Sequence, residues 1–219
     1  MTMKRSRNPQ SGERRVGFVV ALASLALAAF FPSPTAAAAS GSRVVIDGAR
    51  SARGPSARAS FWPHPAMPPR GWRRGSIASG DASVSYPASW KPIPGDTGTV
   101  SFSLRDAGGA YLGYINVTPR QGAEQLHGWA QFRLRRNRAE GATRVRAVAS
   151  VERLPFASAT GSCVIDDYLS RVGAHPYREV ACIVAGHRAT SVLVGAARLS
   201  EWNNLRAVLK LAAASFRER

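Results

Sequence analysis

Cys163 and Cys182 are the two cysteines of the sequence and its sharpest chemical signal. They lie in two alternating segments on either side of a short turn, a pattern typical of an antiparallel hairpin. In the register that sets Leu169 opposite Pro176, Cys163 lies opposite Cys182, within reach of a disulfide. The spacing therefore favours a disulfide. A register shifted by one residue would put the sulfurs on opposite faces and leave two free, buried thiols.

A group of arginines in the middle of the chain could bind anions. The planar guanidinium group suits bidentate contacts with phosphate or carboxylate. A helix end followed by the next strand would bring several of these side chains together, so they form a candidate anion-binding group. The alternative is an ordinary solvated surface. The six candidates are Arg133, Arg135, Arg136, Arg138, Arg144 and Arg146.

Other residue types show no catalytic or metal-binding pattern. The sequence has no Gly-x-Ser-x-Gly elbow, no Ser, His and acid set at a recognisable spacing, and no glycine-rich phosphate loop. Adjacent Asp166 and Asp167 would point to opposite faces of a strand, and Asp167 would form a cross-strand ion pair with Arg178. A metal needs three or four converging ligands, so we expect no catalytic residue, metal or cofactor. The histidines are widely spaced: His64, His127, His175 and His187.

The N-terminus has the three-part layout of an export signal. Residues 1–15 are basic, residues 16–31 are apolar and uncharged, and Pro32 precedes a run of small residues. Cleavage is expected near Ala39 or Ser40, which places the mature protein in the cell envelope or the medium. Retention as a membrane anchor is the alternative, and the Arg14-Arg15 pair leaves the Sec or Tat route open.

The segment after the signal is basic and poor in periodic apolar residues. Residues 40–79 are rich in Pro, Gly, Ser, Ala and Arg, which predicts a disordered arm, with Trp62 and Trp72 as its exceptions. The predicted organisation is therefore signal peptide 1–39, arm 40–79 and one domain 80–219. The net charge of +17 favours anionic partners.

The domain region alternates between strand-like and helix-like patterns. Alternating apolar residues predict strands at 82–87, 97–106, 110–119, 143–152, 163–172, 177–185 and 188–197. Helical spacing predicts helices over 123–140, ended by Gly141, and over 200–217, capped by Ser200. The expected fold class is α+β, an antiparallel β-sheet with amphipathic helices packed on it. Residues expected in the core are Leu126, Trp129, Phe132, Trp202, Leu205, Leu209 and Phe216.

This order of elements resembles a known fold. A strand leading into Tyr86-Pro87-x-x-Trp90, a hairpin, the amphipathic segment 129–137 and a closing helix with Phe216 resemble the PsbP-like (Mog/PsbP) α/β/α sandwich, especially its exported actinobacterial members. The resemblance implies a binding or assembly protein, since such proteins are mostly non-catalytic. It transfers no functional residue, because no defined binding motif of the family can be matched.

The sequence thus supports one leading functional hypothesis. It is a non-enzymatic, exported binding or accessory domain of the bacterial cell envelope, whose partner is an envelope protein or an anionic lipid or polymer. No specific nucleic acid and no transmembrane helix after signal cleavage are expected. The alternative is a small extracellular hydrolase whose site cannot be identified from sequence.

Overall fold

The structure, a computed structural model, describes residues 61–219, so the predicted signal peptide and residues 40–60 of the predicted arm lie outside it. Neither helix in the described part is long and apolar enough to cross a membrane. In chain order the elements are β1 (Arg73–Ser76), β2 (Ala82–Tyr86), β3 (Lys91–Ile93), β4 (Val100–Arg105), β5 (Tyr111–Pro119), α1 (Trp129–Ala139), β6 (Thr143–Phe156), β7 (Ala159–Leu169), β8 (Pro176–Ala185), β9 (Thr190–Arg198), α2 (Trp202–Ala214) and β10 (Arg217–Glu218).

Two antiparallel sheets organise these elements. The large sheet has seven strands in the order β3-β4-β5-β9-β8-β7-β6, and the small sheet has the order β1-β2-β10. The seven strands predicted from alternation are present, each within a few residues of its expected bounds. The short strands β1, β3 and β10 were not predicted, because two to four residues are too few to show a period.

Each face of the large sheet has its own core. On β7, Val164 packs in the cluster under α1, whereas Cys163 and Ile165 pack in the larger cluster under α2. This division follows from the strand geometry, because successive side chains point to opposite faces. The large sheet is thus the middle layer, with α1 on one face and α2 with strand β2 of the small sheet on the other.

Helix α2 matches the prediction of an amphipathic helix. It buries an apolar stripe that includes Trp202, Leu205 and Leu209, and Phe216 is buried just after the helix ends. The predicted cap was wrong: Glu201, not Ser200, is the N-cap residue, and it makes no side-chain capping bond.

Helix α1 differs from the prediction in length and character. It begins at Trp129 rather than near residue 123, because Gly128 adopts a left-handed conformation (φ 71°) directly before it. Its buried residues are Trp129 and Asn137, while Leu126 and Phe132 are only partly buried. The predicted apolar stripe is therefore incomplete, and α1 also needs polar contacts to hold it on the sheet.

The folded domain begins earlier than residue 80. Strand β1 pairs with β2 from Arg73 to Ser76, and Phe61, Trp62 and Trp72 pack against the core under α2. The predicted boundary between arm and domain was therefore too late, because aromatic residues separated by prolines and glycines show no strand pattern. Residues 61–79 therefore belong to the folded domain.

The predicted disulfide is present. Cys163 and Cys182 are directly paired across β7 and β8, their Cα atoms lie 4.1 Å apart, and both side chains are buried. The pairing follows the register expected from the sequence, including Asp167 opposite Arg178 and Leu169 opposite Pro176.

Reduction of this disulfide should destabilise the domain by about 3 kcal/mol, because the crosslink limits the unfolded chain across its 19-residue separation. Urea unfolding with and without reductant measures the change. A Cys163→Ala/Cys182→Ala variant is the control, since reductant should not shift its midpoint. Equal midpoints for the oxidised and reduced wild type would contradict this prediction.

Candidate functional site

Arg133 does not belong to the solvent-facing group in which the sequence placed it. Its side chain points from α1 onto the sheet, where Nε donates to Glu179 Oε1 at 2.6 Å and Nη2 donates to Oε2 at 3.1 Å. The Arg133 side chain is 15% exposed and that of Glu179 is 0% exposed. Arg133 is therefore unavailable for an external anion, and the prediction was wrong for this residue.

Two acids face each other beneath α1. Asp166 and Glu179 are directly paired across β7 and β8, and both are buried. Asn137 of α1 lies between them, since its Nδ2 donates to Asp166 Oδ2 at 2.9 Å and to Glu179 Oε1 at 3.2 Å. Asp166 Oδ1 has no donor within the described residues. One arginine therefore balances two carboxyl groups.

The two carboxyl groups differ in protonation, because their pKa values shift in opposite directions. Burial, with the nearby charge of Glu179, raises the pKa of Asp166 to about 9. Burial would also raise the pKa of Glu179, but the charge and hydrogen bonds of Arg133 outweigh it and hold that pKa below its usual value. At neutral pH, Asp166 is thus a neutral acid beside an ionised Glu179, and the Arg133–Glu179 pair holds α1 on the sheet.

Tyrosines on β5, β7 and β8 extend this polar layer. The hydroxyls of Tyr114 and Tyr168 lie 3.2 Å apart, and the rings of Tyr168 and Tyr177 stack at 5.9 Å. Burial raises the pKa of both Tyr114 and Tyr168, so both stay protonated at neutral pH. The tyrosine hydroxyls of this layer therefore keep their protons at neutral pH, and Arg133 and Asn137 connect the layer to α1.

The opposite face of the same strands carries the predicted ion pair. Arg178 donates to Asp167 through Nε at 2.6 Å and Nη2 at 2.9 Å. Arg146 donates to the same carboxylate at 2.6 Å, although its side chain is 71% exposed. Burial would raise the pKa of Asp167, but the hydrogen bonds and charges of Arg178 and Arg146 lower it.

The other predicted arginines lie on α1 and β6. Arg138 Nη2 donates at 3.0 Å to the backbone oxygen of Val145, the residue between Arg144 and Arg146 in the chain. Arg136 is paired with Glu140 at 2.6 Å. Arg135 and Arg144 are exposed, and Arg144 has a left-handed backbone (φ 52°).

Arg171 joins this group and was missed from the sequence. Its side-chain carbons lie across Gly141, 2.7–3.4 Å from the position that a Cβ atom would occupy there, and Gly141 has φ 93°. The pairing of β6 with β7 could have indicated this position. Thr143 pairs with Leu169, so continuing the same antiparallel register places residue 171 beside residue 141. We refer to Arg138, Arg144, Arg146 and Arg171 as the arginine end. It draws cations from α1, β6 and the β7–β8 turn.

The histidines do not form a site together. His127 lies 3.6 Å from Glu152, and both side chains are exposed. Within residues 61–219, no group of three or more His, Cys, Asp or Glu side chains could hold a metal ion.

Comparisons with known proteins add information at the level of the fold. No protein-family model matches this chain, and no curated protein is similar to it. Among solved structures, it is similar to a protein of Bacteroides thetaiotaomicron at 13% identity and a TM-score of 0.42, covering 68% of this chain. It spans about half of that protein, 49% of its length.

Two further solved structures are matched over most of their length. Cyanobacterial PsbP from Synechocystis is 15% identical, with a TM-score of 0.48 over 68% of this chain and 93% of that one. LpqN of Mycobacterium tuberculosis, a protein involved in cell envelope biogenesis, is 12% identical, with a TM-score of 0.43 over 67% and 90%. These likenesses carry no conclusion about activity or ligand, and the actinobacterial source stays a prediction. In fold, the chain is similar to PsbP-like structures, as its sequence predicts.

Proposed function

We propose that this chain is an exported, non-enzymatic binding domain that attaches to an anionic component of the cell envelope through the arginine end. The observation that carries the proposal is that three separate elements place arginines at the same end of the sheet: Arg138 donates to Val145 O, between Arg144 and Arg146 in the chain, and Arg171 lies across Gly141. Guanidinium groups so gathered suit phosphate or carboxylate groups.

Export is supported by two independent features. The charge and apolar layout of residues 1–39 is that of a signal peptide. The Cys163–Cys182 disulfide suits an oxidising compartment, since such bonds are rare in the cytosol. Together they favour a location outside the cytoplasm.

The contacts of the acidic side chains favour a binding role over hydrolysis. Glu179 is committed to Arg133, and Asp166 is a buried neutral acid. Asp167 is held by Arg178, and Glu152 lies beside His127 on the exposed surface. These acids stabilise the fold or face solvent, and none of them is paired with a histidine in an enclosed site.

Vesicle co-sedimentation tests the proposed function. The chain purified after export should bind vesicles containing phosphatidylglycerol more tightly than vesicles of phosphatidylcholine alone, and salt should weaken that binding. An Arg144→Ser/Arg171→Ser variant should bind about 10- to 30-fold more weakly, because each cation near an anionic surface contributes about 1 kcal/mol.

A matched variant controls for net charge. Arg74 and Arg206 are exposed and lie outside the arginine end, so Arg74→Ser/Arg206→Ser removes the same charge and should change binding little. Equal binding to both kinds of vesicle, or equal losses in the two variants, would overturn the proposal and leave a partner protein as the ligand.

Deletion of the basic arm must stop before Phe61, since later residues pack on the core.

A further inference from the structure

A second group of basic side chains lies at the opposite end of the large sheet. A depression of about 480 Å³ is lined by the end of β5 and by the β8–β9 turn, including Arg120, His187 and Arg188. All three of these side chains are exposed. No acidic side chain is among the lining residues, and Glu218, which packs against Gly186, is buried and accepts from Ser191 Oγ.

The backbone beneath these side chains is held firmly. Arg120 N donates to Thr190 O at 2.8 Å, and Gly186 N donates to Ala189 O at 2.9 Å, which closes the turn. Arg188 N and Ala189 N both donate to Arg219 O, at 2.9 and 3.2 Å. The backbone that carries these side chains is therefore fixed, and binding a ligand would have to order the side chains alone.

The two cationic groups are separated by the length of the sheet. Strand β8 begins at Pro176, beside the turn that carries Arg171, and ends at Ala185, beside the depression. Its 10 residues span about 30 Å at 3.3 Å per residue. Anions bound at the two ends would therefore belong to different molecules or to distant parts of one surface.

We propose that the depression is a second site for phosphate groups and that the domain bridges two phosphate-bearing surfaces or chains. The inference rests on the proposed function, which supplies the first attachment at the arginine end. Arg120 and Arg188 would each form bidentate contacts with phosphate oxygens, and His187 would donate a ring N–H. The open shape of the depression suits a group carried on a larger body.

Vesicle aggregation separates bridging from simple binding. The exported chain should cluster phosphatidylglycerol vesicles, as measured by turbidity, and high salt should reverse the clustering. Arg120→Ser/Arg188→Ser should reduce clustering at least tenfold while co-sedimentation weakens much less, because the arginine end still binds. Arg74→Ser/Arg206→Ser is again the matched control and should cluster vesicles as the wild type does.

Each outcome has a distinct meaning. Failure to bind phosphatidylglycerol vesicles would overturn the proposed function, whereas binding without clustering would overturn the bridge alone. Undiminished clustering by Arg120→Ser/Arg188→Ser would also overturn the assignment of the depression as the second site.

Calorimetric titration with soluble polyphosphate distinguishes the source of the phosphate. Loss of half the bound polyphosphate in that variant supports a free polymer as ligand, and binding to vesicles alone supports a lipid headgroup.

Discussion

Replacing Arg133 with serine is expected to lower the free energy of unfolding by about 3–5 kcal/mol, because it leaves the buried Glu179 without its cation. Urea unfolding at neutral pH measures the loss. Arg135→Ser is the matched control: Arg135 lies two residues away on the same helix but is exposed, so its loss should be within about 0.5 kcal/mol. Equal small losses in both variants would show that the Arg133–Glu179 pair does not hold α1.

A second variant separates the lost charge from lost packing. Arg133→Met combined with Glu179→Gln removes both charges while keeping much of both side-chain volumes. It should recover a substantial part of the stability that Arg133→Ser loses, because no uncompensated charge stays buried. A double variant as unstable as Arg133→Ser would mean that the specific geometry, and not the charge balance, holds the helix.

Replacing Asp166 with asparagine is expected to stabilise the domain at pH 7, by an amount on the order of a few kcal/mol. The pKa of Asp166 is raised from 3.8 to about 9 on folding, so the folded state must keep a proton that the unfolded state releases. Asparagine needs no proton, and it can accept from Asn137 and donate to Glu179. A calorimetric melting series over pH measures the gain.

The sign of the pH dependence makes this prediction specific. A raised pKa means that the stability contributed by Asp166 is complete below about pH 4 and is lost as pH rises towards about 9. The advantage of Asp166→Asn should therefore grow through that window. Glu218, whose pKa burial raises to about 7, adds to the slope in both proteins, and their difference isolates Asp166.

The neighbouring residue supplies a control of opposite sign. Asp167 faces the other side of β7, and Arg178 and Arg146 lower its pKa. Asp167→Asn should therefore destabilise the domain at neutral pH, and its effect should disappear in acid. If both variants changed stability in the same direction, the assignment of a neutral acid to Asp166 would be wrong.

The large sheet and its disulfide could be predicted because they follow from local alternation. One register for β7 and β8 sets Cys163 opposite Cys182 and Asp167 opposite Arg178, and both pairs are present. The same register sets Asp166 opposite Glu179. Two facing acids require a nearby cation or a shared proton, so the sequence also held the signal for the buried network.

The inward orientation of Arg133 could not be predicted from helical periodicity. Periodic patterns treat arginine as a surface residue, and α1 has too few apolar positions to define its buried face. Its orientation depends on Glu179, which lies 46 residues later and becomes its neighbour only when the sheet forms. The grouping of Arg171 with Arg138 depends on the fold in the same way, whereas Arg144 and Arg146 are close in sequence.

The disulfide also determines what a protease would leave behind. Arg171 lies in the exposed turn between Cys163 and Cys182, inside the covalent loop. An extracellular enzyme that cuts after arginine would open this turn, yet the two fragments would stay joined through sulfur. Cut chains would keep β7 and β8 side by side, and only reducing conditions would release the fragments. In an oxidising environment, a nick at the arginine end would thus alter the binding surface without dismantling the domain.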